Sequence, residues 1–278
     1  MLHSLAQEMR QNPLLVASLV VFAIYVFVGA AAPVLAPYDP NIQNLRATLA
    51  PPTTLNLLGA DEYGRDLLSR LIYGTRSSMI VGAAVVVCSA LIGLVLGILS
   101  GYRGGFLDDL IMRSSDVMMA FPFLVLALGL IAALGAGLGS TIIALTAAFA
   151  PIYVRIVRGC VLQIRQEAYV DAARIMGVGA SRIAVRHVVP NVMGPVLVQG
   201  ALTFAFAVLA EASLSFVGLG IPPPDASFGN IIAAGRDYIA QAWWISTLAG
   251  VSIVIVVLAL LVIADGLRDA IDPYQHRL

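Results

Sequence analysis

The chain has 278 residues, of which 60% are hydrophobic and 12% charged, and its 16 basic and 16 acidic residues balance to zero. Soluble domains carry roughly a quarter charged residues, so this composition puts most of the chain in lipid and leaves no room for a sizeable soluble domain. The neutral balance excludes the basic surface that nucleic acid demands; and because all sixteen basic residues are Arg, the chain lacks the Lys with which a standard P-loop reaches nucleotide phosphates.

Met1 to Pro13 is a short polar tail with a single Arg10. The apolar run from Leu14 to about Ala36 exceeds the roughly 7 to 15 residues of a secretory-signal core and is read as a spanning helix. Pro37 to Arg76 is the longest polar segment. In its second half Leu67, Leu68, Leu71 and Ile72 share one helical face, with Arg65, Asp66, Ser69 and Arg70 largely off it, which predicts an interfacial helix over Asp61 to Arg76. Residues 1–76 therefore read as tail, first span and outer segment, and residues 77–278 as a core with the remaining spans.

Further apolar runs cover Ser78 to Ser100, Val117 to Leu134, Leu138 to Val157, Val196 to Val217 and Ile245 to Ala264. Each is long enough to cross a hydrocarbon layer of about 30 Å. The expectation is an all-α polytopic membrane protein with six transmembrane helices. Gly93 and Gly97 form a GxxxG pair suited to close packing within the chain. Phe121-Pro122-Phe123 should bend the third span, because Pro removes a helical hydrogen bond, and Gly135, Gly137 and Gly139 make a tight link to the fourth. Six spans put both ends on one side. With the N-terminus inside, eleven Arg lie in cytoplasmic segments against five outside, and the positive-inside rule makes both termini cytoplasmic. Trp243 and Trp244 then open the last span at the outer interface. Cys88 and Cys160 read as small apolar fillers. The three His are far apart, and with no HExxH, GxSxG or carboxylate pair the sequence offers no catalytic or metal site.

A polar, Arg-rich island, Glu167 to Pro190, separates the fourth and fifth spans. Tyr169, Ala172, Ala173 and Met176 fall on one helical face, with Glu167, Asp171 and Arg174 opposite. Gly177 can supply the left-handed residue that stops this helix. Val178 to Ala180 then connect to Ser181, the expected N-cap of a second short helix that Pro190 ends. On the residues alone this is a helix-turn-helix whose apolar stripe needs either a protein partner or the lipid interface. In the fifth span Glu211, with Ser213 and Ser215 nearby, lies six residues from the end, roughly 9 Å below the outer surface. A carboxylate there faces a cavity or the bundle interior. The two roles open to it are lining a translocation pathway and satisfying backbone groups where the helix loosens before Gly218 and Gly220.

Asp171-Ala172-Ala173, Gly177 and a closing Val189-Pro190 resemble the EAA motif of membrane subunits of bacterial ABC importers, with Asp171 for the usual Glu, His187 for Ile and Val189 for Leu. Gly64-Arg65-Asp66 with Leu68 to Leu71, and Glu211 to Gly220 followed by Pro222 to Pro224, are similar to the C-type permease subunit of dipeptide, oligopeptide and nickel importers; Phe228 stands where Trp is frequent. The resemblance implies a type I importer permease fold in the bacterial inner membrane. It makes residues 159–194 a coupling loop in which Glu167, Asp171, Ala172, Ala173, Arg174, Met176 and Gly177 meet a cytoplasmic ATPase. The implied partners are a second homologous permease, two ATPase subunits or one fused ATPase, and an extracytoplasmic binding protein. ATP and Mg would be held by the ATPases, with no cofactor and no enzyme activity in this chain. The implied cargo is peptide, or alternatively nickel or another small solute. The rival readings are an ion-coupled secondary transporter or channel, which carries several ionisable pathway residues where this chain has only Glu211 clearly within a span, and a membrane scaffold.

Overall fold

In the computed structural model, which describes residues 12–271, the first helix starts at Asn12. The Asn12 side-chain oxygen accepts from the N–H groups of Leu14 and Leu15 at 3.1 and 3.2 Å, satisfying donors that a helix start leaves open. Pro13 fits the first turn, where its missing N–H costs nothing. The tail with Arg10, both chain ends, His3, His276 and Arg277 lie outside the described residues. In chain order the helices are α1 (Pro13–Ala30), α2 (Ala32–Leu35), α3 (Leu67–Arg103), α4 (Gly105–Met119), α5 (Phe123–Leu134), α6 (Leu138–Ile164), α7 (Ala168–Ile175), α8 (Ala180–Ile183), α9 (Val189–Phe216), α10 (Phe228–Arg236) and α11 (Trp243–Ile271). A π-helical turn, Ala184–Val188, joins α8 to α9.

Among the described residues five helices are long and apolar enough to cross a membrane, namely α1, α3, α6, α9 with its π turn, and α11. The sixth span is met only by α4 and α5 together, and these are bent by 93°. The third span expected over Val117 to Leu134 is bent at Pro122 as its sequence led one to expect, but the bend splits it into two helices, the first of which begins earlier, at Gly105. The Ala120 N–H closes α4 on the Asp116 and Val117 carbonyls, and Pro122, which has no N–H to continue the ladder, stands just before α5. With 12 residues, α5 covers roughly 18 Å by itself.

The interfacial helix expected over Asp61 to Arg76 is also corrected. Leu67 to Arg103 is one helix of 37 residues that runs through position 76 without a break, roughly 55 Å long. The polar residues of its first turns face inward. Asp61, Arg65, Asp66, Ser69 and Arg70 are all buried, in a knot where no charge is left without a partner. Asp61 accepts from Arg65 Nε at 2.6 Å and lies 3.3 Å from Arg70 Nε, while its other oxygen accepts from the Tyr63 and Arg65 N–H groups. Arg70 also donates to the Pro40 carbonyl at 3.1 Å and the Pro224 carbonyl at 3.4 Å. Asp66 caps α3, accepting from Ser69 N and Ser69 Oγ at 2.8 and 2.7 Å, and Ser69 Oγ in turn accepts from Tyr38 N. Buried ions are costly unless fully hydrogen-bonded, so the knot fixes one arrangement of the outer segment against α3.

Below the knot α3 lies against α6. Gly93, Gly97 and Gly101 form a stripe along α3, and a Cβ there would come within 2.2 Å of Tyr153 Cβ, 2.7 Å of Val157 Cβ and 2.8 Å of Val161 Cβ. The two backbones touch where any side chain would hold them apart, as small residues allow in lipid. This assigns the glycine pair to packing inside the chain. Around that seam Val81 and Val85 of α3, Ala127 and Ile131 of α5, Leu145 and Phe149 of α6 and Leu214 of α9 form one buried cluster. A second cluster joins α1, α3, α9, α10 and α11 through Tyr25, Leu71, Phe204, Phe228 and Ile253.

Gly97→Leu should lower the midpoint of thermal unfolding in detergent sharply, because overpacking a helix seam costs about 1–3 kcal/mol or more. Gly129→Leu on α5, where nothing lies within 4 Å of an added Cβ, should leave the midpoint unchanged.

Candidate functional site

The site is the turn between α6 and α9. Its first helix, α7, starts where the Glu167 carbonyl accepts from Val170 and Asp171 N–H at 2.9 and 3.2 Å. Asp171 in the first turn suits the positive end of the helix dipole. Gly177 ends α7 with φ +77°, the left-handed conformation the sequence led one to expect. The Val178 N–H then donates back to the Ala173 carbonyl at 3.0 Å, and the Val178 side chain packs against Val170, Ala173 and Ile183. Together these make a Schellman stop with its accompanying apolar contact.

The second half differs from the expectation. The helix after the turn begins at Ala180, with the Gly179 carbonyl accepting from Arg182 and Ile183 N–H, so Ser181 is inside the first turn and is not the N-cap. Pro190 ends nothing: it falls in the first turn of α9, which a helix tolerates. The wider π turn before it carries the chain from α8 into α9 without an interruption.

The expected apolar stripe is rotated by about one residue. Val170 and Ala173 face inward with Ile183, packed against Tyr102, Ile164 and Val178, so Ala173 is not on the outer surface. The outward apolar residues are Tyr169, Ala172, Ile175 at 88% exposure, Met176 at 75% and Val185 at 70%. Glu167, Asp171 and Gly177 are also exposed, and Arg174 is the second-last residue of α7. Tyr169 and His187 bring their rings to 5.8 Å, joining α7 to the π turn. Ile175 and Val185 were missed because their signal depends on which stripe turns inward, and Tyr102 and Ile164, outside the island, decide that. Nothing within 4 Å would obstruct a Cβ at Gly177, so this face of the turn is open to a partner.

Glu211 lies elsewhere, sealed inside the chain at 0% exposure. Ser78 Oγ of α3 donates to its carboxyl at 3.2 Å and Ser215 Oγ at 2.8 Å. Ser215 Oγ also accepts from the Ile221 N–H at 3.1 Å, while Ser213 turns away and donates to the Leu209 carbonyl. Of the two roles open to Glu211, these contacts within the chain are those of the structural one, a polar clasp joining α9, α3 and the loop after α9.

Residues 93–276 match the family described as binding-protein-dependent transport system inner membrane component, and residues 2–52 match the N-terminal TM domain of oligopeptide transport permease C. A putative peptide transport system permease protein of Brucella suis biovar 1 (strain 1330) is 47% identical over 255 residues, which cover 92% of this chain and 86% of that protein. The di/tripeptide transport system permease protein DppC of Pseudomonas aeruginosa (strain UCBPP-PA14) is 43% identical over 273 residues, covering 96% and 90%. The dipeptide transport system permease protein DppC of Escherichia coli (strain K12) is 42% identical over 270 residues, covering 95% and 90%. Among solved structures, an inward-facing form of the MetNI methionine ABC transporter matches with a TM-score of 0.58 at 20% identity, over 74% of this chain and 98% of that chain. That likeness establishes the type I importer permease fold. With the family match running over residues 93–276 and these identities sustained over nearly the whole chain, this chain belongs to the family of binding-protein-dependent transport system inner membrane components.

Proposed function

We propose that the chain is the permease subunit of an ATP-driven importer of short peptides, and that the turn around α7 is where a cytoplasmic ATPase docks. One observation carries the docking assignment. The turn is held from behind by Val170, Ala173 and Ile183 and capped by Gly177, yet it presents Ile175, Met176 and Val185 bare. A soluble face of this kind is unfavourable without a partner. Ion-coupled transport is displaced by the family membership. The peptide cargo follows from the relatives, which are named as peptide, di/tripeptide and dipeptide permeases.

The working assembly in this reading is a second, homologous permease beside this one, two ATPase domains below and a binding protein above. ATP and Mg belong to the ATPases, since this chain has no Lys to reach phosphates. The chain acts by transmitting motion and lining part of the path, and it forms no covalent intermediate. The orientation places both termini and the α7 turn in the cytoplasm of a bacterial inner membrane, on the Arg asymmetry.

Two experiments test this reading. Single Cys at Asn41 and Asp225, both exposed at the far end from α7, should react with an impermeant maleimide in intact cells, whereas Cys at Arg182 should react only after permeabilisation. Reaction of the Arg182 position from outside contradicts the orientation. Gly177→Val should leave the spans inserted, because the turn lies beyond them, and should weaken ATPase copurification or unlink hydrolysis from transport. A left-handed β-branched residue costs roughly 1–2 kcal/mol, equivalent to a loss of about five- to thirtyfold. Normal ATPase association with normal transport in Gly177→Val contradicts the docking assignment.

A further inference from the structure

The inner ends of α3 and α6 and the α7 turn make one packed body. Arg165, which follows α6, donates to the Gly101 carbonyl of α3 at 3.1 Å, and Tyr102 and Ile164 pack behind Val170 and Ala173. Helix α4 lies against this body with no fully buried apolar side chain, Leu107, Ile111, Met112 and Met118 being half-buried. Ser115 is its one buried residue, and Phe106, Leu110 and Val117 are exposed. Its directed ties are ionic. Arg158 of α6 grips Asp108 with both ends of its guanidinium, Nε and Nη2 each at 2.6 Å from a carboxylate oxygen. Ser100 Oγ of α3 donates to the same carboxylate. One turn earlier in α6, Arg155 reaches Asp116 at 2.5 Å. The Arg158–Asp108 pair is the stronger tie, since its side chains are 30% and 15% exposed against 52% and 61% for Arg155 and Asp116, and exposed pairs are weak.

The continuation of α4 belongs to a different body. Ala127 and Ile131 of α5 are buried against Ala144, Leu145 and Phe149 in the outer half of α6. Between the two bodies the chain passes through Pro122 at the 93° bend, and α6 itself carries Pro151 between its outer and inner halves. Pro interrupts the hydrogen-bond ladder at both crossings, and these are the places where a helical structure yields most easily.

We propose that Asp108 and Arg158 are a positioning pair for transport, making α4 follow the α7 turn so that motion set at the ATPase is taken up at the Ala120 to Pro122 bend. This rests on α7 being the ATPase dock. Neither residue touches cargo or nucleotide in this scheme. They act through the helix they hold. A bidentate guanidinium–carboxylate pair suits the task because it fixes direction as well as distance, and a single point charge would let α4 swivel.

The test uses the whole importer in nanodiscs, the chain with its partner permease, ATPases and binding protein, supplied with a tryptic digest of casein as the peptide source. Asp108→Asn should keep the ATPases bound and reduce binding-protein-stimulated ATP hydrolysis by roughly tenfold, within the usual range of coupling between sites. Asp108→Glu should restore most of it. Spin labels at Ser114 on α4 and Gln163 on α6, both exposed, should keep one narrow distance in nucleotide-free and ATP–vanadate-trapped wild type, and that distribution should broaden in Asp108→Asn. Full stimulation in Asp108→Asn, or a wild-type Ser114–Gln163 distance that changes with nucleotide, overturns the proposal. If Asp108→Asn does not assemble, the exchanged pair Asp108→Arg with Arg158→Asp decides: stimulation restored supports the pair, and an assembled but unstimulated complex overturns it. Failure of the wild-type chain to hold its ATPases counts against the docking assignment and not against the pair.

Discussion

The contact of bare backbones along Gly93, Gly97 and Gly101 is the constraint on which the other parts hang. In lipid the hydrophobic effect does not press helices together, so association depends on close packing and on hydrogen bonds between them. By removing side chains from one stripe of α3, the sequence lets α6 approach until Tyr153, Val157 and Val161 fill the groove. That seam sets the depth of α6 relative to α3. It thereby puts Arg158 level with Asp108 and Ser100, and Arg165 level with the Gly101 carbonyl.

The two ends of this seam are built on opposite principles. At the outer end five polar residues from Asp61 to Arg70 are buried and mutually satisfied, so the segment from Tyr38 onward is tied to α3 and to the Pro224 loop. Glu211 adds a second clasp between α3 and α9 on the same side of the molecule. At the inner end polar contacts are few and directed, and the α7 turn leaves its apolar edge uncovered. A frame fixed at one end and unfinished at the other suits a subunit whose stroke arrives, in the proposed reading, from an ATPase docked at the α7 turn.

Span positions were legible in the sequence because a run of about twenty apolar residues has few alternatives in a protein. Gly177 was legible for a similar reason, since few residues other than Gly accept φ near +77°. The failures share one cause. Whether Leu67 begins an interfacial helix or the first turn of a long span depends on partners for Arg65 and Arg70, and those are Asp61, Pro40 and Pro224, two of which are distant in sequence. The phase of α7 depends likewise on Tyr102 and Ile164, and the role of Glu211 on Ser78. Pro122 was marked as a bend, but the size of that bend follows from α5 packing on α6 while α4 is held by Arg158. Local pattern names the element; tertiary contact decides which face is turned in.

The central claim is that the face bearing Ile175 and Met176, and not the face bearing Val170 and Ala173, meets the ATPase. Site-specific photo-cross-linking measures this directly, with a benzophenone placed at each of these four positions in turn in membranes containing the assembled importer. The account predicts a cross-linked product with the ATPase from positions 175 and 176, and none from 170 and 173, whose side chains are packed inside. Cross-links to the ATPase from 170 and 173 but not from 175 and 176, or to lipid alone from all four, would contradict it.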